Sequence, residues 1–208
     1  MNKVVSLARI VGNLMGDGNV SKRYLRYNNK NTFLLDNFKK HFLFLYPETH
    51  FIYGKVNSGT SFVQVQNKKI IEFLLNLCGD FRSQNLKFPN FLTSKEMKVE
   101  FIRAIFDDEG CVALRTFQKT NEIKRNLEIA SKSKSFLIEI KEILESDFKI
   151  KCNQIISFNR ILDKKEFVTY KLSITGRENF IKFKDNINFC HPDKKNKLNL
   201  MISSYIRK

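Results

Sequence analysis

Apolar positions along this chain alternate between helical and extended spacing. Val4, Val5, Leu7, Ala8, Ile10, Val11, Leu14 and Met15 fall on a helical period and predict a helix over 4–15. Gly16-Asp17-Gly18 ends it, because glycine is a poor helix former that takes positive φ readily. Extended stretches follow at 19–21 and 24–28. Phe33, Leu34, Phe38, Phe42 and Leu45 then mark a helix over 32–45, stopped by Pro47. A hairpin of 50–56 and 60–66 turns at Asn57-Ser58-Gly59, and 69–78 forms a third helix.

The same order then recurs. A helix over 95–107 precedes strands 111–118 and 124–130 around a turn near Lys119-Thr120-Asn121; helix 134–145, strands 151–161 and 166–174, and helix 178–186 follow. A last helix covers 192–206. The pattern predicts an α/β (α+β) protein of two pseudo-symmetric αββαββα halves, each with a four-stranded antiparallel sheet. Residues 1–81 make the first half and 94–190 the second; 82–93, carrying Pro89, links them, and 191–208 is the C-terminal helix.

The duplication is visible in the residues. Ile10-Val11-Gly12-Asn13-Leu14-Met15-Gly16-Asp17-Gly18 matches Ile102-Arg103-Ala104-Ile105-Phe106-Asp107-Asp108-Glu109-Gly110: an apolar helix, a small residue third, an acid eighth and a glycine ninth. Asn31-Thr32-Phe33-Leu34 aligns with Lys134-Ser135-Phe136-Leu137, and Val63-Gln64-Val65-Gln66 with Leu172-Ser173-Ile174-Thr175. Ala8, Gly12 and Gly16 form a stripe along which a second helix can approach closely, with Ala104 as the matching small residue. Asp17 and Glu109 then end two adjacent helices. The helix dipole there is already negative, so each acid costs about 0.3–1 kcal/mol, and like charges brought together repel. Bound divalent cations relieve both penalties.

Charge narrows the partner. Lys and Arg outnumber Asp and Glu by 37 to 21, a formal charge of +16, which favours a polyanion through counterion release. Nucleic acid fits better than an anionic membrane, because no strongly basic amphipathic helix stands out. No apolar run is long enough to span a bilayer, and the N-terminus lacks a signal-peptide cleavage site, so an intracellular place, cytoplasmic or organellar, is expected. Cys78, Cys111, Cys152 and Cys190 make no Cys-x-x-Cys pair and read as reduced thiols. His41, His50 and His191 lack metal-ligand spacing with one another.

On these two motifs and the αββαββα order, the chain resembles the monomeric, two-motif LAGLIDADG homing endonucleases. It departs from the consensus at Ala104, which replaces a glycine, and at Asn13 and Arg103, whose polar side chains are expected to point off the helix seam. The resemblance implies metal-dependent hydrolysis of both strands of a long, non-palindromic double-stranded DNA target, leaving short 3′ overhangs. It implies that Asp17 and Glu109 hold Mg²⁺ (Mn²⁺ or Ca²⁺ taking the same place), with the backbone carbonyls of Gly16 and Asp108 completing the shell. The family places a polar residue where the second strand of each half meets the next helix, here Asn28 and Ser131, with Lys132 beside the latter. Lys171 is the basic residue late in the second half.

DNA on that fold lies across the two sheets, and strand alternation selects the side chains that face it. The candidates are Arg23, Arg26, Tyr53, Lys55, Gln64 and Gln66, then Arg115, Gln118, Lys124, Arg125, Asn153, Gln154, Asn159 and Arg160. An RNA maturase that assists splicing of intron RNA on the same fold is the alternative, and retention of both acids favours the nuclease. A transcription regulator would need an added helix-turn-helix domain, and an intein a splicing block; neither is expected.

Overall fold

The computed structural model describes residues 1–56, 59–116, 122–162 and 165–205, the side chains of 161, 162 and 165 excepted. Its elements are α1 (Lys3–Gly16), β1 (Gly18–Val20), β2 (Leu25–Asn29), α2 (Thr32–Leu45), β3 (Ile52–Lys55), β4 (Ser61–Val65) and α3 (Lys68–Cys78). These are followed by α4 (Lys95–Glu109), β5 (Cys111–Thr116), β6 (Ile123–Ser131), α5 (Lys134–Ser146), β7 (Ile156–Leu162), β8 (Lys165–Ile174), α6 (Arg177–Asn186) and α7 (Pro192–Ser203). The strands form two four-stranded antiparallel sheets, ordered β1-β2-β4-β3 and β5-β6-β8-β7. The mixed α/β repeat read from the sequence is therefore the fold.

Two compact units divide the chain, 1–108 and 109–208, so α4 up to Asp108 belongs with the first. The apolar face of α2, Leu34, Leu35, Phe38 and Phe42, is buried on the first sheet, where Phe38 meets Tyr27 with ring centroids 4.8 Å apart. Cutting back either buried phenylalanine to alanine would cost about 3–5 kcal/mol. Phe136, Leu137, Ile140 and Leu144 of α5 do the same on the second sheet.

The helix starts correct the alignment of the repeat by one residue. Asn31 caps α2 by accepting from the Phe33 N–H, and Ser133 caps α5 by accepting from the Phe136 N–H. Asn31 is thus equivalent to Ser133, and the exposed Phe33 is not the counterpart of the buried Phe136. The strand expected from residue 151 begins at Ile156. Before it, Cys152 makes a single bridge to Ile174. Asn153 then bonds Ser173 and Thr175 through its side chain, beside a backbone bond from its N–H to the Ser173 carbonyl at 2.8 Å. The motif glycines also act differently from expectation. Positive φ among the described glycines is confined to Gly59, Gly79 and Gly176. Gly18 is small because a Cβ there would lie 2.4 Å from the Leu14 Cα and carbonyl oxygen.

Candidate functional site

Helix α1 approaches α4 along its glycine stripe. A Cβ on Gly12 would stand 2.7 Å from the Ala104 Cβ, and one on Gly16 would stand 2.7 Å from the Asp108 Cβ. This seam is polar inside. Arg9 is fully buried and donates from Nη2 to Asp107 Oδ2 at 2.6 Å, with Glu100 3.9 Å from its other terminal nitrogen. Asn13 turns inward, correcting its expected outward direction: its Nδ2 donates to Asp108 Oδ2 at 3.0 Å and to the Tyr27 hydroxyl at 3.2 Å.

These contacts belong to a cage around the Asp108 carboxylate. The Tyr27 hydroxyl donates to Oδ1 at 2.6 Å, and Asn29 Nδ2 reaches the same oxygen at 3.1 Å. Asn29 Nδ2 also donates to Asp17 Oδ2 at 3.2 Å, so one amide touches both acids. The amide is itself oriented, since its Oδ1 accepts the Asn31 N–H at 2.9 Å. Burial, then the neighbouring Asp17 charge, pushes Asp108 well above the usual carboxylate range against the pull of its hydrogen bonds. Burial, then Asp108, likewise holds the Tyr27 hydroxyl protonated well past its ordinary range.

Asp17 is the C-cap of α1. Its carbonyl oxygen accepts from both the backbone N–H and Nδ2 of Asn28, at 3.1 and 3.0 Å. Asn28 therefore braces the backbone while Asn29 braces the carboxylate. The register identifies which is the repeat's polar residue. Val63 pairs with Tyr27 and its counterpart Leu172 with Ile129, so Ser131 corresponds to Asn29 rather than to Asn28. The same local bond confirms it, because Ser131 Oγ accepts the Ser133 N–H at 3.1 Å.

The remaining candidates separate. Glu109, the last residue of α4, is exposed. Lys132 Nζ lies 4.0 Å above the Phe167 ring, and Lys171 pairs with Glu128 at 3.5 Å. Burial would raise Glu128, but the Asn126 hydrogen bond with the Lys171 and Lys124 charges holds it below the usual range. Among the described residues no group of three or more His, Cys, Asp or Glu is gathered for a metal ion. Carboxylate and backbone carbonyl oxygens in general are hard donors that suit Mg²⁺, Mn²⁺ or Ca²⁺.

Pairing sorts the nucleic-acid candidates by face. Arg26, Gln64 and Ile52 are cross-strand partners on one side of the first sheet. Tyr53 and Lys55 lie on the other, with Tyr27 and Val63 and toward α2, where Lys39 stands 5.4 Å from the Tyr53 ring. This corrects their grouping with Arg26. In the second sheet Arg115, Lys124, Lys171 and Arg160 share a face, and Arg125 and Asn159 take the opposite one. Arg125 is tied to the C-terminal helix, donating to Ser204 Oγ and O at 2.8 and 3.0 Å and stacking on Tyr205. Arg23, Gln66, Asn153 and Gln154 are exposed; Gln118 lies outside the described residues. Arg9, Asn13, Tyr27, Asn29 and the Asp108 side chain were missed by motif reading. The bond shared by Asn29-x-Asn31 and Ser131-x-Ser133 is the signal that would have found Asn29.

Residues 96–188 match the LAGLIDADG-like domain. The homing endonuclease I-DmoI, solved with DNA and Ca, superposes over 96% of this chain and 100% of that one at a TM-score of 0.66 and 18% identity. Full-length DUF199/WhiA from Thermatoga maritima covers 98% of this chain and 61% of its own, at 0.61 and 14% identity. Two curated relatives come from Methanocaldococcus jannaschii. A probable translation initiation factor IF-2 is 31% identical over 135 residues, 64% of this chain and 11% of that protein. A glutamine–fructose-6-phosphate aminotransferase is 25% identical over 210 residues, 95% of this chain and 17% of that protein. The chain thus spans less than a fifth of either relative. No helix among the described residues is long and apolar enough to cross a membrane. Residues 96–188 thus resemble the LAGLIDADG-like domain, and the chain shares its fold with I-DmoI.

Proposed function

We propose that this chain is a site-specific DNA endonuclease, acting as a monomer on both strands of a long, non-palindromic target and leaving short 3′ overhangs. The observation that carries the reading is the acid retained at the same place in both motif helices, Asp17 and Glu109, the first of them braced at carbonyl and carboxylate. The fold is shared with DUF199/WhiA, so the retained acids, rather than the fold, argue for cleavage. I-DmoI has been solved with DNA together with Ca, Mn and Mg, which supports a divalent ion here. Mg²⁺ held by Asp17, Glu109 and the carbonyls of Gly16 and Asp108 would supply charge stabilisation for phosphodiester hydrolysis. Asn29 holds the Asp17 carboxylate in one orientation, and Asn28 fixes the backbone that presents it. Lysine and arginine in excess draw in the phosphate backbone. A module matching less than a fifth of two proteins with unrelated names also has the distribution of a mobile element.

The test is cleavage of a randomised duplex library with Mg²⁺ and with EDTA. Metal-dependent enrichment of one cut sequence is expected, lost in Asp17→Asn with Glu109→Gln. Selective binding of intron RNA with no DNA cut at any metal concentration would move the assignment to the maturase.

A further inference from the structure

The outer face of the first sheet carries an arginine that is fixed before any ligand arrives. Gly54 makes room for it: a Cβ there would stand 2.5 Å from Phe62 Cζ, so the far end of the Phe62 ring lies over the glycine. The Arg26 guanidinium stacks on that ring, its carbon 4.1 Å from the centroid, and 5.1 Å from the Tyr24 ring. Gln64, directly opposite in the register, accepts with Oε1 from Arg26 Nε at 2.9 Å and from Nη2 at 2.7 Å. Gln64 is itself buried, at 6% exposure, and its carbonyl is committed to the arginine.

Those two bonds use the inner fork of the guanidinium. The outer fork, formed by Nη1 and the second hydrogen of Nη2, keeps the two parallel donors that match the O6 and N7 acceptors of guanine in the major groove. A phosphate contact does not need a guanidinium immobilised by two rings and a buried amide; reading a base edge does, because discrimination depends on fixed geometry.

We infer that Arg26 reads a single guanine in the target, with Gln64, Phe62 and Gly54 as positioning residues. The inference rests on the DNA reading above and names one base contact within it. Gln64, which the sequence offers as a DNA contact, serves instead to aim Arg26.

The experiment is selection of bound duplexes from a randomised library, by wild type, Arg26→Ala, Gln64→Ala and Gln64→Glu. Binding is scored in Ca²⁺ without cleavage, and folding is checked by thermal melting. Wild type is expected to enrich a consensus containing an invariant guanine. Arg26→Ala should keep the rest of that consensus and lose the guanine, with roughly a tenfold to hundredfold loss of discrimination at that position only. Gln64→Ala should blur the same position, and Gln64→Glu, which restores an acceptor, should recover it. An unchanged consensus in Arg26→Ala, or uniform weakening across all sequences with a smaller salt dependence, would mark a phosphate contact and overturn the inference alone. No enrichment by wild type would overturn the DNA reading and this inference with it.

Discussion

Set side by side, the two copies of the repeat agree in backbone and disagree in what lines the motif helix. Arg9, Asn13, Tyr27 and Asn29 in the first copy stand where the second has Phe101, Ile105, Ile129 and Ser131. In exchange, the second motif carries Asp107 and Asp108 where the first has Met15 and Gly16. Each polar group on α1 or β2 thus meets an acid on α4, and Gly16 is small because Asp108 fills its place. A duplicated sequence has become a complementary pair.

The largest effect should come from breaking the buried pair on that seam. Arg9→Leu leaves Asp107 without its ion pair in the core and should cost about 3–5 kcal/mol in urea denaturation. Adding Asp107→Leu should recover most of the loss, as expected if both side chains answer to each other.

Next in size is the contrast between equivalent positions. Asn29→Ala removes a donor from two acids and should lower stability by about 1–3 kcal/mol, and weaken Ca²⁺ binding measured by calorimetry. Ser131→Ala removes one turn bond, about 0.5–1.5 kcal/mol, with metal binding unchanged. Equal effects would show that the copies are interchangeable there.

Arg26 and Arg125 sharpen the comparison further. Both are arginines on a second strand, but they face opposite sides of their sheets. Arg125→Ala should lower the melting temperature through loss of its Ser204 bonds and leave DNA selectivity intact, the converse of Arg26→Ala.

The smallest effect is in pH. His41 bonds Ser6 at 3.1 Å, and burial, then the Arg9 and Lys40 charges, lowers it from 6.5 to about 4. A neutral imidazole in the fold and a protonated one in the unfolded chain mean that stability is present above pH 6.5. It falls as pH drops from 6.5 toward 4. His41→Gln should remove that contribution and lessen the fall of the urea midpoint across that window.

Much of this was legible in the sequence, and the failures are instructive. Apolar periodicity placed α2 at 32–45 and α5 within a residue, because Phe38, Phe42, Ile140 and Leu144 must all reach the core. It failed at 151–155, where one bridge and one backbone bond to β8 are supplemented by Asn153 side-chain bonds to Ser173 and Thr175 in place of a continuous strand. It misassigned Asn28 because hairpins of unequal length separate the motif from β2 and β6, so only the register could align Asn29 with Ser131. A one-residue slip of that kind exchanges the two faces of a strand. The Asp108 cage was invisible to motif reading for a different reason. The motif calls attention to the eighth position, while the acid that organises α1, α4 and β2 occupies the seventh.

If the duplicated acids do chemistry on DNA, strand-resolved cleavage of the selected target in Mg²⁺ will depend on both of them. Wild type should cut both strands, Asp17→Asn and Glu109→Gln should each lose cutting by orders of magnitude while still binding the duplex, and EDTA should abolish it. Cleavage at the wild-type rate by the double variant would contradict the account.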